Sequence, residues 1–292
     1  MLTHTTMIRK AVNMKEQPKE LLSLTNDYVF RRIFGEKNID ALADFLSAVL
    51  DIPIDELAGL EVVDPNIHRD RTGGKSSMLD LRLHTQSGEI LNIEIQVNPE
   101  HSFGKRIAFY NSRIYSGQLD RGEEYSKLKR TISIVITSFV FIHENNDCFN
   151  RFRWYNINNG ALLTDAQEIN TLELAKLAES DDGTRLWQWL KLLLLREVDE
   201  MEELAKNNDT MKNVIVTLRE MSEDEAERML AEARDKEERD RRSSYVSGVL
   251  DGEARGIEIE KQETARRMKA EGLTTDTIVR ITGLSEDEIA SL

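Results

Sequence analysis

The chain has 292 residues, enough to bury one or two cores, and its 40% apolar, 32% charged composition is that of a globular protein with a strongly charged portion. No run of about eighteen apolar residues occurs, since Lys191 breaks the leucine-rich WQWLKLLLL, so no membrane span is expected. MLTHTTMIRKAVNMKEQPKE does not read as a secretory signal, and the lone Cys148 excludes an internal disulfide or a cysteine-rich zinc site, so the expected location is the cytoplasm. The net charge is −14, but it is unevenly spread. Residues 1–150 hold 18 Lys/Arg against 21 Asp/Glu, and residues 151–292 hold 21 against 32. That balance argues against a DNA-coating protein and leaves a DNA substrate open to the near-neutral N-terminal half.

Apolar residues from Phe30 to Leu50 recur at helical spacing around Gly35, which predicts two short helices ending before Pro53. ELAGLEVVDPNI predicts a short strand, and HRDRTGGKSS a polar loop containing Arg71 and Lys75. MLDLRLHTQSGEILNIEIQV (78–97) alternates apolar and polar residues on both sides of Gln86-Ser87-Gly88, which predicts a β-hairpin. A helix is expected within 100–120, and TISIVITSFVFI (131–142) has the continuous β-branched character of a strand buried on both faces. Strands are expected in CFNRFRWYNI and around ALLTDAQEINTLEL.

Beyond about residue 183 the pattern is helical: RLWQWLKLLLLREVDEMEELAKN as one helix, then a second helical region from Thr210. YVSGVLDGEARGIEIE places Gly248, Gly252 and Gly256 four apart, a pattern suited to close helix packing or self-association, and LTTDTIVRITGLSEDEI has a helix–Gly–helix rhythm. Its acidity favours a dimerising or regulatory hairpin over a DNA-binding one. The expected organisation is a flexible 1–20, an α/β domain over 21–182, a helical extension over 183–245 and a C-terminal helical segment over 246–292.

The hairpin carries the chemistry. If Gly88 supplies the left-handed position of a three-residue loop, paired residue numbers sum to 174 and Asp80 falls opposite Glu94. Their Cβ atoms would then lie about 4.5–5.5 Å apart. Period-two alternation puts Asp80, Arg82, His84, Asn92, Glu94 and Gln96 on one face, and the leucines and isoleucines on the other. Two opposed carboxylates call for a positive charge between them, and a divalent cation with oxygen ligands provides one. A solvated sheet face neutralised by Arg82 is the plainer alternative.

Asp80, a hairpin, Glu94-Ile95-Gln96 and a following helix resemble the PD-(D/E)xK nuclease core. TNDYVFRRIFG (25–35), MLDLRL, IEIQ, YNSRIYSGQL (110–119) and ETARRMKAEGLTTDTIVRITGLSEDEI resemble, more narrowly, the Rpn family of recombination-promoting nucleases, also described as PD-(D/E)xK family transposases. The resemblance spans nearly all of the chain from about residue 22. It implies a restriction-endonuclease-like α/β core, a mixed sheet flanked by helices, with a mostly helical C-terminal region. It implies DNA endonuclease activity with Mg²⁺ (or Mn²⁺) on Asp80 and Glu94, with Asp27 near the metal and Gln96 in the position of the usual lysine. A lysine stabilises developing negative charge directly, whereas an amide only orients by hydrogen bonding. The missing charge could come from Lys105, Arg106 or Arg113. These three, with Tyr110, Arg71 and Lys75, are the expected DNA contacts. A catalytically inactive nuclease fold that binds DNA or protein is the alternative function, and a helical oligomerisation or regulatory protein is the third. The expected partners are DNA and a second copy of the chain through its C-terminal helices.

Overall fold

A computed structural model describes residues 19–63, 81–100 and 102–292. It divides into two compact units, Met1–Asp235 and Lys236–Leu292.

In the first unit, helix α1 (Asp27–Phe30) is capped by the Asn26 side chain, which accepts from the Val29 amide, and runs on into a wider π-helical turn, Arg31–Lys37. Helix α2 (Ile39–Leu50) ends where Asp51 turns left-handed, two residues before Pro53. Strand β1 (Glu61–Val63) precedes the hairpin strands β2 (Leu81–His84) and β3 (Ile90–Gln96). Helix α3 (Phe103–Ser116) connects β3 to β4 (Thr131–Thr137), and β5 (Phe149–Tyr155) and β6 (Leu162–Glu173) form a second hairpin. The sheet order is β1-β2-β3-β4-β6-β5. Strands β3, β4 and β6 are parallel, and the remaining pairings are antiparallel. This is a mixed sheet with flanking helices.

The first hairpin closes as its sequence requires. The Thr85 amide donates to the Glu89 carbonyl at 3.0 Å, the Gly88 amide to the Thr85 carbonyl at 2.9 Å, and Gly88 sits at φ 86°. Leu81 pairs with Ile93 and Leu83 with Leu91, so paired numbers sum to 174.

All seven residues of β4 are buried, as its β-branched run predicts, but the strand ends at Thr137, short of the expected 142, where the chain turns and the Phe141 amide donates to Glu173 instead of continuing the sheet. On one side of the sheet, Leu81, Leu83, Leu91, Ile93, Ile95, Ile132, Ile134, Ile136 and Leu172 join α1 and α2 in the main core. The helices that follow belong to the same core. These are α4 (Arg185–Leu194), α5 (Val198–Leu204), α6 (Asp209–Glu223) and the start of α7 (Glu225–Ala270). The expected single helix over 185–207 is broken at 195–197, between α4 and α5, where Leu195 leaves helical geometry at ψ 149°. Trp189 packs edge-on to Phe34 and Phe45, with ring centroids 5.9 and 6.0 Å away.

One carboxylate ties this helical layer together. Asp44 of α2 is fully buried, and its Oδ2 accepts from Trp189 Nε1 (3.0 Å), Asn208 Nδ2 (3.2 Å) and Thr210 Oγ1 (3.3 Å). Its Oδ1 pairs with Arg185.

In the second unit, the last part of α7 packs with α8 (Thr275–Thr282) and α9 (Glu286–Ser291) around Ala265, Ile278, Leu284 and Ile289. Gly283 at φ 73° ends α8, and Ser285 and Glu288 form a reciprocal cap that starts α9. A Cβ placed on Gly248, Gly252 or Gly256 would meet nothing within 4 Å, so the glycine ladder serves no packing among the described residues. No helix of the described residues is long and apolar enough to cross a membrane.

Replacing Asp44 with Ala leaves the Trp189 indole N–H buried without its acceptor and Arg185 without its partner. The expected loss is about 3 kcal/mol of unfolding free energy, read from urea denaturation; a loss below about 0.5 kcal/mol would show that the carboxylate does not tie the layer.

Candidate active site

The second face of the hairpin strands is not the solvated row that alternation alone suggests. Asn92, Glu94 and Gln96 are all buried, as are their leucine and isoleucine neighbours on the opposite face. The reason is topological. β3 is an interior strand, and the crossover helix α3 returns over the sheet with Phe103 and Ile107 packed against Val135 of β4. Glu94, 8% exposed, therefore sits where water cannot solvate a carboxylate well, and burial pushes its pKa above the usual range.

Arg106 answers that burial. It lies one turn into α3, its guanidinium 5.3 Å from the centre of the Phe103 ring. Its Nη2 donates to Glu94 Oε1 at 2.5 Å and to Gln96 Oε1 at 2.7 Å, while Nη1 donates to Glu100 Oε1 at 2.8 Å. Arg106 thus pulls the Glu94 pKa back down against the effect of burial. Gln96 is held from both ends, because its Nε2 donates to the Asn98 carbonyl at 2.9 Å. Only the other half of the amide's hydrogen-bonding capacity remains for a ligand: one lone pair on Oε1 and one N–H on Nε2.

Beside this cluster lie two uncompensated groups. Arg82 and Asn92 are cross-strand partners, and Arg82 Nε and Asn92 Oδ1 are buried without a hydrogen-bond partner among the described residues. Burial holds the Arg82 guanidinium below its ordinary pKa. A buried guanidinium nitrogen of half-buried Arg82 and a buried amide oxygen, left open on the face that carries Glu94 and Gln96, mark it as a surface with polar capacity to spare.

Of the other residues singled out by sequence, Asp27 lies at the start of α1. Its Oδ1 accepts from the Tyr28 amide at 2.7 Å, and its Oδ2 lies 3.9 Å from Arg234 Nε. Tyr110 is buried, its ring edge-on to Phe109 at 5.4 Å. Lys105 is exposed and Arg113 half-buried on α3. Asp80, Arg71 and Lys75 lie outside the described residues. Among the described residues no group of three or more His, Cys, Asp and Glu side chains is placed to hold a metal.

Glu168 on β6 escaped the sequence reading. It is buried on the opposite face from Glu94 and carries three arginines: Arg153 Nε at 2.5 Å, Arg130 Nη2 at 2.7 Å and Arg151 Nε at 3.6 Å. Burial pushes its pKa up, but the bonds from Asn170, Arg153 and Arg130 outweigh burial and hold it below the usual carboxylate range. The interleaved arginines of RFRWY were the available signal.

Residues 24–248 match the model of the PD-(D/E)XK nuclease family transposases. The chain belongs to that family. Residues 259–292 match a second model, the C-terminal HTH domain of the Rpn/YhgA-like nuclease family. No curated protein and no solved structure matches the chain. For a PD-(D/E)XK nuclease family transposase, the mixed sheet with flanking helices is the expected core, and a nuclease-like function follows from membership. The second match gives α8 and α9 the helix-turn-helix class against which their acidity had weighed.

Two outcomes are expected from this geometry. Arg106→Gln strands a buried carboxylate and should cost about 2 kcal/mol, whereas Arg106→Gln combined with Glu94→Gln should recover most of it; additive losses in a urea double-mutant cycle would show that the pair is not coupled. Glu168, with its lowered folded pKa, contributes stability above its unfolded pKa that is lost as pH falls through the folded value. Glu168→Gln should flatten that acid limb in stability measured across pH 2 to 6, and an unchanged limb would assign it to other groups.

Proposed function

We propose that the chain is a divalent-metal-dependent DNA endonuclease acting in transposase-like recombination. The observation that carries this reading is the Arg106 guanidinium shared between Glu94 and Gln96. It brings a permanent positive charge to the position where the motif lacks its lysine. The last described hairpin pairs keep the register on which Asp80 was set opposite Glu94, and this supports Asp80 and Glu94 as the metal-binding pair.

The donor chemistry suits a hard cation. Carboxylate and amide oxygens are the ligands that Mg²⁺ or Mn²⁺ takes, and Glu94 Oε2 has no hydrogen-bond partner among the described residues. When bound, such an ion polarises the phosphodiester and lowers the pKa of a water. Gln96, anchored by Arg106 and the Asn98 carbonyl, orients the attacking water with its remaining lone pair. Arg106 faces the negative charge that develops on the phosphate oxygens, from a site already desolvated and fixed. Lys105, Arg113, Arg71 and Lys75 take the flanking phosphates, with Tyr110 positioning α3. Asp27 is the further candidate for the metal's surroundings. The helix-turn-helix segment supplies DNA affinity apart from the cleavage chemistry.

The same ion pair favours a second reading. A guanidinium already neutralising Glu94 can stand in for the cation, leaving a nuclease fold that binds DNA without cutting it. Incubation of the purified chain with labelled DNA separates the two. The endonuclease reading expects nicking or cutting with Mg²⁺ or Mn²⁺ that EDTA stops, and a loss of at least about 100-fold in Asp80→Asn and Glu94→Gln with DNA binding retained. Intact DNA under all metal conditions, with binding unaffected, would establish the second reading instead.

A further inference from the structure

The sheet face that carries Glu94 continues across β4 and β6 to the edge strand β5, and there it changes character. Phe152, Trp154 and Tyr155 of β5 are exposed, at 44%, 54% and 51%, and Phe109 of α3 is 57% exposed. Large aromatics solvated at an edge strand are costly and invite association. The strand is also irregular at this point. Phe152 pairs with Ile169, but Trp154 pairs with Thr164, so the register breaks between them and re-aims the rings.

Between this strand and α3 lies a pocket of about 270 Å³ lined by Ala108, Asn111, Ser112, Phe152, Trp154 and Gln167 among others. Its polar floor is organised. Asn111 is buried and fixed by bonds from its Nδ2 to Ser133 Oγ (2.9 Å) and the Glu168 carbonyl (3.1 Å), and its Oδ1 accepts from Gln167 Nε2 at 3.0 Å. Gln167 Oε1 is left without a partner among the described residues, and Ser112 Oγ, at 3.4 Å from Gln167 Nε2, keeps its own proton. The pocket therefore offers aromatic faces, an acceptor on half-buried Gln167, a donor on exposed Ser112, and room for one planar heterocycle. Its lining holds one cation, Arg153, and no acid, in a chain whose net charge is −14. Aromatic faces, free hydrogen-bonding groups and a lining without acids together fit a nucleotide better than an apolar peptide.

We propose that this pocket receives a single unpaired nucleobase, held by stacking on Trp154 and Phe152 and read at its edge by Gln167 and Ser112. The substrate class is then DNA with an unpaired or readily extruded base, its backbone running over α3 toward Glu94. The proposal rests on the nuclease reading for the direction of the strand but not for the binding itself.

The chain carries its own probe. Trp187 and Trp189 are buried, so Trp154 is the tryptophan open to a stacking base. With the full chain in EDTA, where cleavage plays no part, a short single-stranded oligonucleotide should quench tryptophan emission, and a fully paired duplex of the same sequence should not, even where the helix-turn-helix segment holds it. Trp154→Ala should weaken single-strand binding about 10-fold, in the range of one lost base–aromatic stack. Trp154→Phe should keep the affinity within a few-fold and lose the quenching, while the buried pair's emission reports an intact fold. Unchanged emission on adding oligonucleotide, equal quenching by strand and duplex, or a Trp154→Ala affinity for the single strand equal to the parent would each overturn the proposal. Absent cleavage in Mg²⁺ alongside intact, Trp154-dependent binding would overturn the nuclease reading alone.

Discussion

A strand covered on both faces leaves no water to solvate its polar residues, and β3 is such a strand with Glu94 and Gln96 on it. Everything at the candidate site follows from that constraint. The carboxylate must be compensated from within the protein, the compensating cation has to come from the helix laid over the strand, and Arg106 provides it. The same burial makes the site dry, so its charges interact more strongly than they would on an open sheet.

Glu168 and Glu94, two of the three buried carboxylates on this sheet, meet the same problem in different ways. Glu168 is surrounded by arginines and an asparagine and stays ionised below the ordinary range, which suits a group whose task is structural. Glu94 has a single guanidinium beside it and the Glu100 carboxylate opposing, and its pKa moves the other way. An under-compensated carboxylate is the one with capacity left for another cation. That contrast separates the site from the scaffold on physical grounds.

Much of this was legible in the sequence. Alternation and Gly88 set the hairpin and its register, and the β-branched run of 131–142 announced a strand buried on both sides, although the strand stops at Thr137. The pairing of Arg106 with Glu94 and Gln96 was not, although Arg106 was among the cations considered. A contact between a strand and the helix after it depends on crossover geometry and helix phase, which periodicity within either segment does not encode. Burial of Asn92, Glu94 and Gln96 escaped for the same reason, since alternation describes one strand and not what covers it. The break between α4 and α5 left only a weak trace in a leucine-rich stretch, because both helices share one apolar face toward the core. Residues 259–292 were legible as a helical pair, but their acidic composition pointed away from the class that their helix–turn–helix pattern belongs to.

The three-residue loop at Gln86-Ser87-Gly88 has a consequence for how this protein can change over evolutionary time. Substitutions in the hairpin strands alter one side chain at a time, but loop length sets the phase of everything after it. One residue gained or lost there, without a compensating bulge, would exchange the faces of β3 and turn Leu91, Ile93 and Ile95 toward α3 while sending Glu94 into the main core. Point mutation tests this site one side chain at a time; insertion and deletion in its tightest turn move every side chain of β3 at once.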